Sequence, residues 1–363
     1  MSDLTEWINY ELYPALFEAI PQALPEHHFE RWSGGWRSKT KLDGSPHTRA
    51  DKTVISIKYP GRILEQGGQN LSLIDYVIER DKLGDTKEGM LEAVKRLAKV
   101  VGLSLPQDSS FNTLAYKKHQ ERASILADAQ AMFVYYLEHA PEAKPVMEYL
   151  IKERHYSPEL IKVMELGLMP PKEELHSHLV VVKQHSQEQV EAFISSLSKG
   201  IGSSHRLSIP YRSGGSLKGF KFRAINPAIE PKYLNTRGLP KAEGFFNLTA
   251  IRGDKDLVIV EGELDSLHAT ASGFENVVAT GGDSISPAQI EDAKRRGAKS
   301  FTLCFDNPPS DKLKQALDIL SSSGLKVYVA TLPLSSDAKK ADPDSLLLEQ
   351  GADALRRALK KAQ

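Results

Sequence analysis

Four short apolar runs in the last third of the chain constrain its fold more than any other feature: LVIV (257–260), NVVAT (276–280), SFTLCF (300–305) and KVYVATL (326–332). Each is rich in β-branched residues and nearly continuous in its apolar character, which suits a strand buried on both faces. Three segments of helical pattern, LDSLHATAS, SPAQIEDAKRR and DKLKQALDILSSS, alternate with them. Strand–helix alternation with such strands predicts a parallel sheet covered on both sides. Ligands of these sheets sit at the carboxyl ends of the strands. LVIV runs straight into Glu261-Gly262 and then Asp265, SFTLCF runs into Asp306, and KVYVATLP is followed by Asp342-Pro343-Asp344. Carboxylates are therefore expected near one edge of one sheet. Grouped carboxylates repel and raise one another's pKa unless a cation neutralises them. Carboxylate and water oxygens are the ligands Mg²⁺ prefers, with substrate phosphates completing its shell. A single Asp in such a place is equally well explained as a helix N-cap. Glu261 and Asp306, ending two neighbouring strands, are not so easily explained as a pair.

Upstream, residues 1–30 read as a helical start and 31–63 as short strands with turns, followed by a helix over LSLIDYVIER and another from about Met90 to Val101, capped by Gly102. PQDSSFNT (106–113) is a polar linker leading into a long helix through LADAQAMFVYYLEHA. Two short helices are expected around Ser157-Pro158, with Pro at a first helical position. LVVVK, HRLSIPYR and KGFKFRAI predict strands between about 178 and 223. The domain expectation is 1–105, a linker and helix start at 106–125, 126–253, and 254–363.

No apolar run approaches the roughly 20 residues needed to cross a membrane, and the acidic start MSDLTEWINYELY has no basic region of a secretory signal. A cytoplasmic location, with no membrane partner, is expected. The one cysteine, Cys304, excludes a disulfide framework and a cysteine-cluster zinc site. The 11 histidines show no H-x-x-x-H spacing. Net charge is zero, which by itself speaks against a nucleic-acid partner, but the charges are segregated. Residues 31–62 hold eight Lys/Arg against two acids, 206–241 eight against one, and 254–311 five against eleven. Such segregation suits a site holding a phosphate backbone on one wall and metal ions on another.

VEGELD, then FD after a later strand, then DPDS, resembles the TOPRIM pattern of DnaG-type primases, type IA and II topoisomerases and certain nucleases. IPYRSGGSLKGFKFRAINPAIEPKYLNTRGLPKAEGFFNL resembles the primase stretch in which GF-x-x-R leads to PKYLN and a lysine. YLIKERHYSPELIKVMELGL and ADPDSLLLEQGADALRRAL resemble two further primase segments. The likeness covers most of 145–360, and PKYLN and VEG-x-x-D are its most specific blocks. It implies an α/β, multi-domain fold: a DnaG-type primase core with a C-terminal TOPRIM parallel-sheet domain. It also implies site roles. Glu261 matches the TOPRIM glutamate for acid–base or metal chemistry, and Asp265, Asp306, Asp342 and Asp344 match its other acids. Arg223, Lys232 and Lys241 match residues that contact template or nucleotide phosphates, Asn235 the Asn of the PKYLN block, and Arg154, one residue out of step, a further basic position. Gly282 matches a turn glycine.

The sequence departs from the family pattern twice. The family has Asp-x-Asp after its metal-binding strand; here Pro308 takes the second Asp position, and Asp311 can substitute only if the loop folds back. At the N-terminus, GGWRS, a strand pair and GGQNLSLIDYVIER resemble the primase zinc-binding domain with every cysteine missing. A zinc-finger-like but zinc-free module is expected, its metal replaced by packing through Trp32, Trp36 and Tyr59. Arg37, Lys39, Lys41, Lys58 and Arg62, with Arg49, give it a DNA-facing charge. The resemblance implies primer synthesis on single-stranded DNA from nucleoside triphosphates, with Mg²⁺ or Mn²⁺ and no zinc. It also implies a replicative helicase as partner, since nothing resembles a P-loop. The missing zinc ligands suggest a phage, plasmid or other mobile-element origin. Two alternatives stay open. One is a degenerate primase relative that binds single-stranded DNA without catalysis, which Pro308 motivates. The other is a TOPRIM nuclease, against which the PKYLN block counts.

Overall fold

The computed structural model describes residues 4–47, 52–56, 60–65, 70–84, 86–106, 113–213, 216–248, 256–282, 284–308, 311–334 and 341–362, with no side-chain detail at 6, 10, 70 and 113–117. Lys58, Arg49 and Tyr59, and most of the expected linker, lie outside these residues. The chain divides into two compact units, Met1–Ser124 and Ile125–Gln363. A long helix, Thr113–His139, runs across the division.

The first unit opens with consecutive helical turns, Leu4–Trp7, Ile8–Leu12, Tyr13–Glu18 and Ile20–Ala23. A five-stranded antiparallel meander follows: β1 (Glu30–Trp32), β2 (Gly35–Ser38), β3 (Thr53–Ser56), β4 (Arg62–Glu65) and β5 (Asn70–Ser72), in spatial order. Two helices close the unit. Leu73–Asp81 starts on Ser72, whose hydroxyl accepts from the Asp75 amide, and Lys87–Val100 starts on Thr86, which accepts from Gly89. Gly102 ends the second helix with φ 68°, a conformation glycine takes at little cost. Leu4, Ile8, Leu12 and Leu16 pack with Ile55, Ile63, Val77, Val94 and Leu97 in one core. Trp36 joins its edge and donates Nε1–H to the Phe17 carbonyl at 2.5 Å, while Trp32 is 42% exposed. Of the three aromatics expected to take over from a metal, Trp36 packs against the core and Trp32 stands largely outside it. The N-terminal helical turns and the two closing helices supply most of the packing.

The second unit contains two sheets. One is antiparallel, in the order β6 (Gly167–Leu168), β7 (Leu207–Ser213), β8 (Ser216–Arg223) and β9 (Tyr233–Asn235). The other comprises β10 (Leu257–Val260), β11 (Val277–Ala279), β12 (Ser300–Leu303) and β13 (Lys326–Val329). It is wholly parallel, in the order β11-β10-β12-β13. Helices Glu263–Ala271, Pro287–Arg295 and Asp311–Ser321 link its strands, and Pro343–Lys360, broken at Gly351, closes the chain. The three strands β11, β10 and β12 are largely buried, as their apolar runs require, while the edge strand β13 is only partly covered. Val260, Leu264 and Leu346 share a core with Leu207 and Tyr211 of the antiparallel sheet; Ile259, Phe301 and Leu303 face Ile290 and Leu320.

One expected strand is not a strand. LVVVK lies in a helical segment, His178–Val182, that continues the helix Lys172–Ser177. Val181 and Val182 are 70% and 64% exposed, so no neighbouring strand covers them and β-branching alone does not hold the segment extended.

Candidate metal centre and basic wall

The acids expected at the sheet edge are delivered by four elements. Glu261 leaves β10, Asp265 sits in the first turn of helix Glu263–Ala271, and Asp306 follows β12. Asp342 and Asp344 begin helix Pro343–Lys360. An isolated antiparallel bridge brings the last two segments together. Asn307 and Ala341 exchange both backbone N–H···O bonds at 2.8 Å, and the Asn307 side-chain amide donates to the Leu332 carbonyl at 2.7 Å. Asp306 and Asp342 each adjoin a bridge residue and are fixed beside one another.

Among the described residues, Asp265, Asp342 and Asp344 present ligand oxygens all within 4.8 Å of one another. Asp265 is held by the Gly262 amide, which donates to Oδ2 at 3.1 Å. Burial, and then the neighbouring Asp342, Asp344 and Asp306, push its carboxyl well above the usual carboxylate range. Burial and the charges of Asp265 and Asp306 likewise push the Cys304 thiol up to about 12. Asp342 caps its helix, Oδ1 accepting from the Ser345 amide at 2.7 Å. The cap and the ligand explanations of this residue therefore hold together. Glu261 lies beside the group: Asp306 N–H donates to its Oε1 at 3.4 Å, and Lys312 approaches its Oε2 at 3.7 Å. Asp311 heads its helix in an exposed position and does not join the three grouped acids, and Pro308 is exposed. Three grouped carboxylates, with a direct cationic partner on Asp344 alone among the described residues, fit a hard divalent cation, and oxygen donors are what such a cation takes.

The antiparallel sheet supplies cations. Arg223 and Tyr233 are cross-strand neighbours on β8 and β9. The Arg223 guanidinium lies 5.2 Å from the Tyr149 ring and 5.3 Å from the Tyr233 ring, and donates to the Tyr233 hydroxyl at 2.5 Å. Lys221 and Lys232 stand 4.5 and 5.9 Å from the same Tyr233 ring. Lys221 also pairs with Glu263 at 2.5 Å, the two side chains 13% and 6% exposed. This bond ties the basic sheet to the helix that carries Asp265. Arg223 Nε, the Tyr149 hydroxyl and Asn235 Oδ1 are buried without a hydrogen-bond partner. Lys241 is half-buried on the turn whose carbonyl accepts from Gln289 at 2.8 Å. Gly282 is exposed on the turn after β11, where the Thr280 hydroxyl donates to its carbonyl at 2.8 Å.

Arg154 stands among the acids rather than among the cations. It donates to Asp344 Oδ2 at 2.6 Å and to the Tyr156 hydroxyl at 3.2 Å. Tyr156 and His268, which no motif marked, also contact Asp344. Their only signal in the sequence is a histidine inside the buried run LDSLHATA. Lys221 and Glu263 were missed in the same way, since their pairing is long-range. In the first unit, Arg37 and Lys41 are half-buried and Lys39 is exposed, all around β2, while Arg62 on β4 donates to Gln120 at 3.3 Å. Among the described residues no helix is long and apolar enough to cross a membrane.

A Toprim-like family model matches residues 258–347, which span the parallel sheet and its acids. The DNA primase of Chlamydia pneumoniae is 29% identical over 287 residues, covering 75% of this chain and 47% of that protein. The DNA primase of Aquifex aeolicus is 29% identical over 240 residues, 61% of this chain and 46% of that protein. The chain thus spans about half the length of the curated relatives it matches. The crystal structure of the zinc-binding and RNA polymerase domains of Aquifex aeolicus primase superposes with a TM-score of 0.60 at 23% identity, covering all of this chain and 86% of that one. The RNA polymerase domain of Mycobacterium tuberculosis primase DnaG, solved with double-stranded DNA, gives a TM-score of 0.56 at 25% identity over 67% of this chain and 81% of that one. In sequence and in fold, this chain is similar to DnaG-type primases, with a Toprim-like match over residues 258–347.

Proposed function

We propose that the chain is a primase: it joins nucleoside triphosphates on a single-stranded DNA template by attack of a 3′-hydroxyl on an α-phosphate, breaking the α–β phosphoanhydride bond and releasing pyrophosphate. The observation that carries this is the convergence of Asp265, Asp342 and Asp344 beside Glu261, on an edge tied through Lys221–Glu263 to a sheet of aromatic-stacked cations. That combination suits a reaction in which phosphate charge must be bound and neutralised together. A relative described as a DnaG primase catalytic domain bound to single-stranded DNA supports the template assignment at the level of fold.

Mg²⁺ or Mn²⁺ is the cation we assign to Asp265 and Asp342, with Asp306, Glu261 and Asp344 around them, and it would supply charge neutralisation at the reacting phosphates. The protein's own residues do the rest. Glu261, whose oxygens face the Asp306 amide at 3.4 Å and Lys312 at 3.7 Å, would take the proton of the attacking hydroxyl. Arg223, its guanidinium 5.2 Å from the Tyr149 ring and 5.3 Å from the Tyr233 ring and its buried Nε–H without a partner, would offer phosphate a guanidinium fork. Lys232 and Lys241 act as point charges along the template or nucleotide, and the unused Asn235 oxygen accepts from a base or ribose. In the first unit Arg37, Lys39, Lys41 and Arg62 are the DNA contacts, without zinc. Unwinding is left to a helicase partner, and the cytoplasm is the expected compartment.

The test is primer synthesis on single-stranded templates with labelled nucleoside triphosphates and Mg²⁺ or Mn²⁺, comparing the wild type with Glu261→Gln. Short products that disappear in the variant are expected. No product with either metal, with single-stranded DNA binding intact, would instead make the chain a binding accessory. Strand scission would make it a nuclease.

A further inference from the structure

Asp344 is 3% exposed, and donors reach both of its oxygens. Oδ2 accepts from Arg154 at 2.6 Å and lies 2.9 Å from the Tyr156 hydroxyl. Oδ1 lies 2.9 Å from the same hydroxyl and 2.7 Å from His268 Nδ1. A carboxylate only accepts, so Nδ1 carries the imidazole proton and Tyr156 donates its one hydroxyl proton, shared between the two oxygens. Arg154 in turn donates to the Tyr156 oxygen at 3.2 Å. Three donors thus occupy most of the roughly four lone-pair directions of one carboxylate. The donors also hold one another. The Tyr156 and His268 rings meet edge to face at 5.7 Å, and the Arg154 guanidinium lies 5.5 Å from the Tyr156 ring.

The placement of His268 gives the cluster a purpose beyond packing. It lies one turn after Asp265 on helix Glu263–Ala271, where residues three apart share a face. Asp344 lies in the first turn of the helix that Asp342 caps. The His268–Asp344 bond therefore joins the element holding Asp265 to the element holding Asp342, the two acids with the fewest partners of their own in the cluster. We propose that Tyr156 and His268 are positioning residues of the metal centre. Through Asp344 they set the separation of Asp265 and Asp342, and Asp344 serves as the anchor of the pair more than as a ligand. Outer partners of ligating carboxylates commonly govern metal affinity by about 10–100-fold.

This inference rests on the proposed metal centre but not on primer synthesis. It is tested by Mn²⁺ titration of the full chain, by calorimetry or by the loss of the free-ion paramagnetic resonance signal. Tyr156→Phe removes only the hydroxyl, and His268→Leu removes the donor together with the ring that meets Tyr156. Each is expected to weaken Mn²⁺ binding by about 10–100-fold. His268→Asn, whose amide can reproduce the Nδ1–H donor, is expected to restore most of the affinity. Thermal unfolding of the metal-free variants separates a merely structural role, which would lower the unfolding temperature and leave the Mn²⁺ affinity in place. That result, or a wild type that does not bind Mn²⁺, overturns the inference. A wild type whose Mn²⁺ affinity depends on Tyr156 and His268 but which makes no primers supports it while removing the primase reading.

Discussion

The two sheets of the second unit treat their charges in opposite ways. On the antiparallel sheet the cations near Tyr233 already have partners: Lys221 has Glu263, and Arg223 has the faces of Tyr149 and Tyr233. At the edge of the parallel sheet, Asp265 is enclosed with three further carboxylates and held far above its ordinary titration range. Arg154 pairs directly with Asp344 and offsets Asp265 only in part. One wall is electrostatically finished by folding and the other is not. A fold retains an unfinished wall at a cost in stability, and such sites are where a ligand is needed to complete the structure.

The largest effect should come from breaking the finished wall. Lys221→Met leaves Glu263 buried and unpaired, at an expected cost of about 3–5 kcal/mol in denaturant unfolding. The double variant Lys221→Met/Glu263→Leu should recover most of it, because a well-packed apolar pair replaces a buried ion pair at little cost. If the double variant is no better than the single one, the pair is doing something other than satisfying itself. The unfinished wall should respond the other way. Asp265→Asn removes a crowded charge and keeps an acceptor for the Gly262 amide. The metal-free protein is expected to melt higher, while primer synthesis falls by about 100-fold or more, the several kcal/mol a catalytic metal supplies. A lower melting temperature would show that the acids are stabilised from within.

Asp128 offers the contrast of a well-paired carboxylate. Burial raises its pKa, but hydrogen bonds from His185 and Lys183, both at 2.8 Å, outweigh that and bring it below the ordinary value. Its contribution to stability is complete above the unfolded pKa, about 4, and is lost as pH falls through the lowered native value. Asp128→Asn is expected to cost about 1.5–3 kcal/mol near neutral pH and to flatten the fall in unfolding temperature on acidification below about pH 4. An unchanged acid profile would break the contrast. The smallest effect is expected from Tyr233→Leu. It removes the aromatic face from three cations, at about 0.5–2 kcal/mol, and should weaken template binding more at low salt than at high salt.

The parallel sheet was legible because its central strands are buried and carry unbroken apolar runs, and because Glu261 and Asp306 each directly follow such a run; that β10 and β12 are neighbours comes from the sheet order. The same logic failed at Leu179–Lys183, where the β-branched run has no sheet to enter. Tyr156, His268, Lys221 and Glu263 could not be found, since their meaning lies in contacts with residues 42 to 188 positions away. Arg154 was visible as a cation but not as the partner of an acid 190 residues on.

The Asn307–Ala341 bridge has a consequence for length variation. It closes the chain between those residues into a circuit whose two ends are pinned where the acids begin. Residues added at the turn Ser322–Gly324, after the helix of that circuit, alter its circumference without moving Asp306 or Asp342. The centre is in that sense insulated from that turn. A reporter peptide grafted there should ride on the molecule as a passenger, leaving the chemistry beneath it undisturbed.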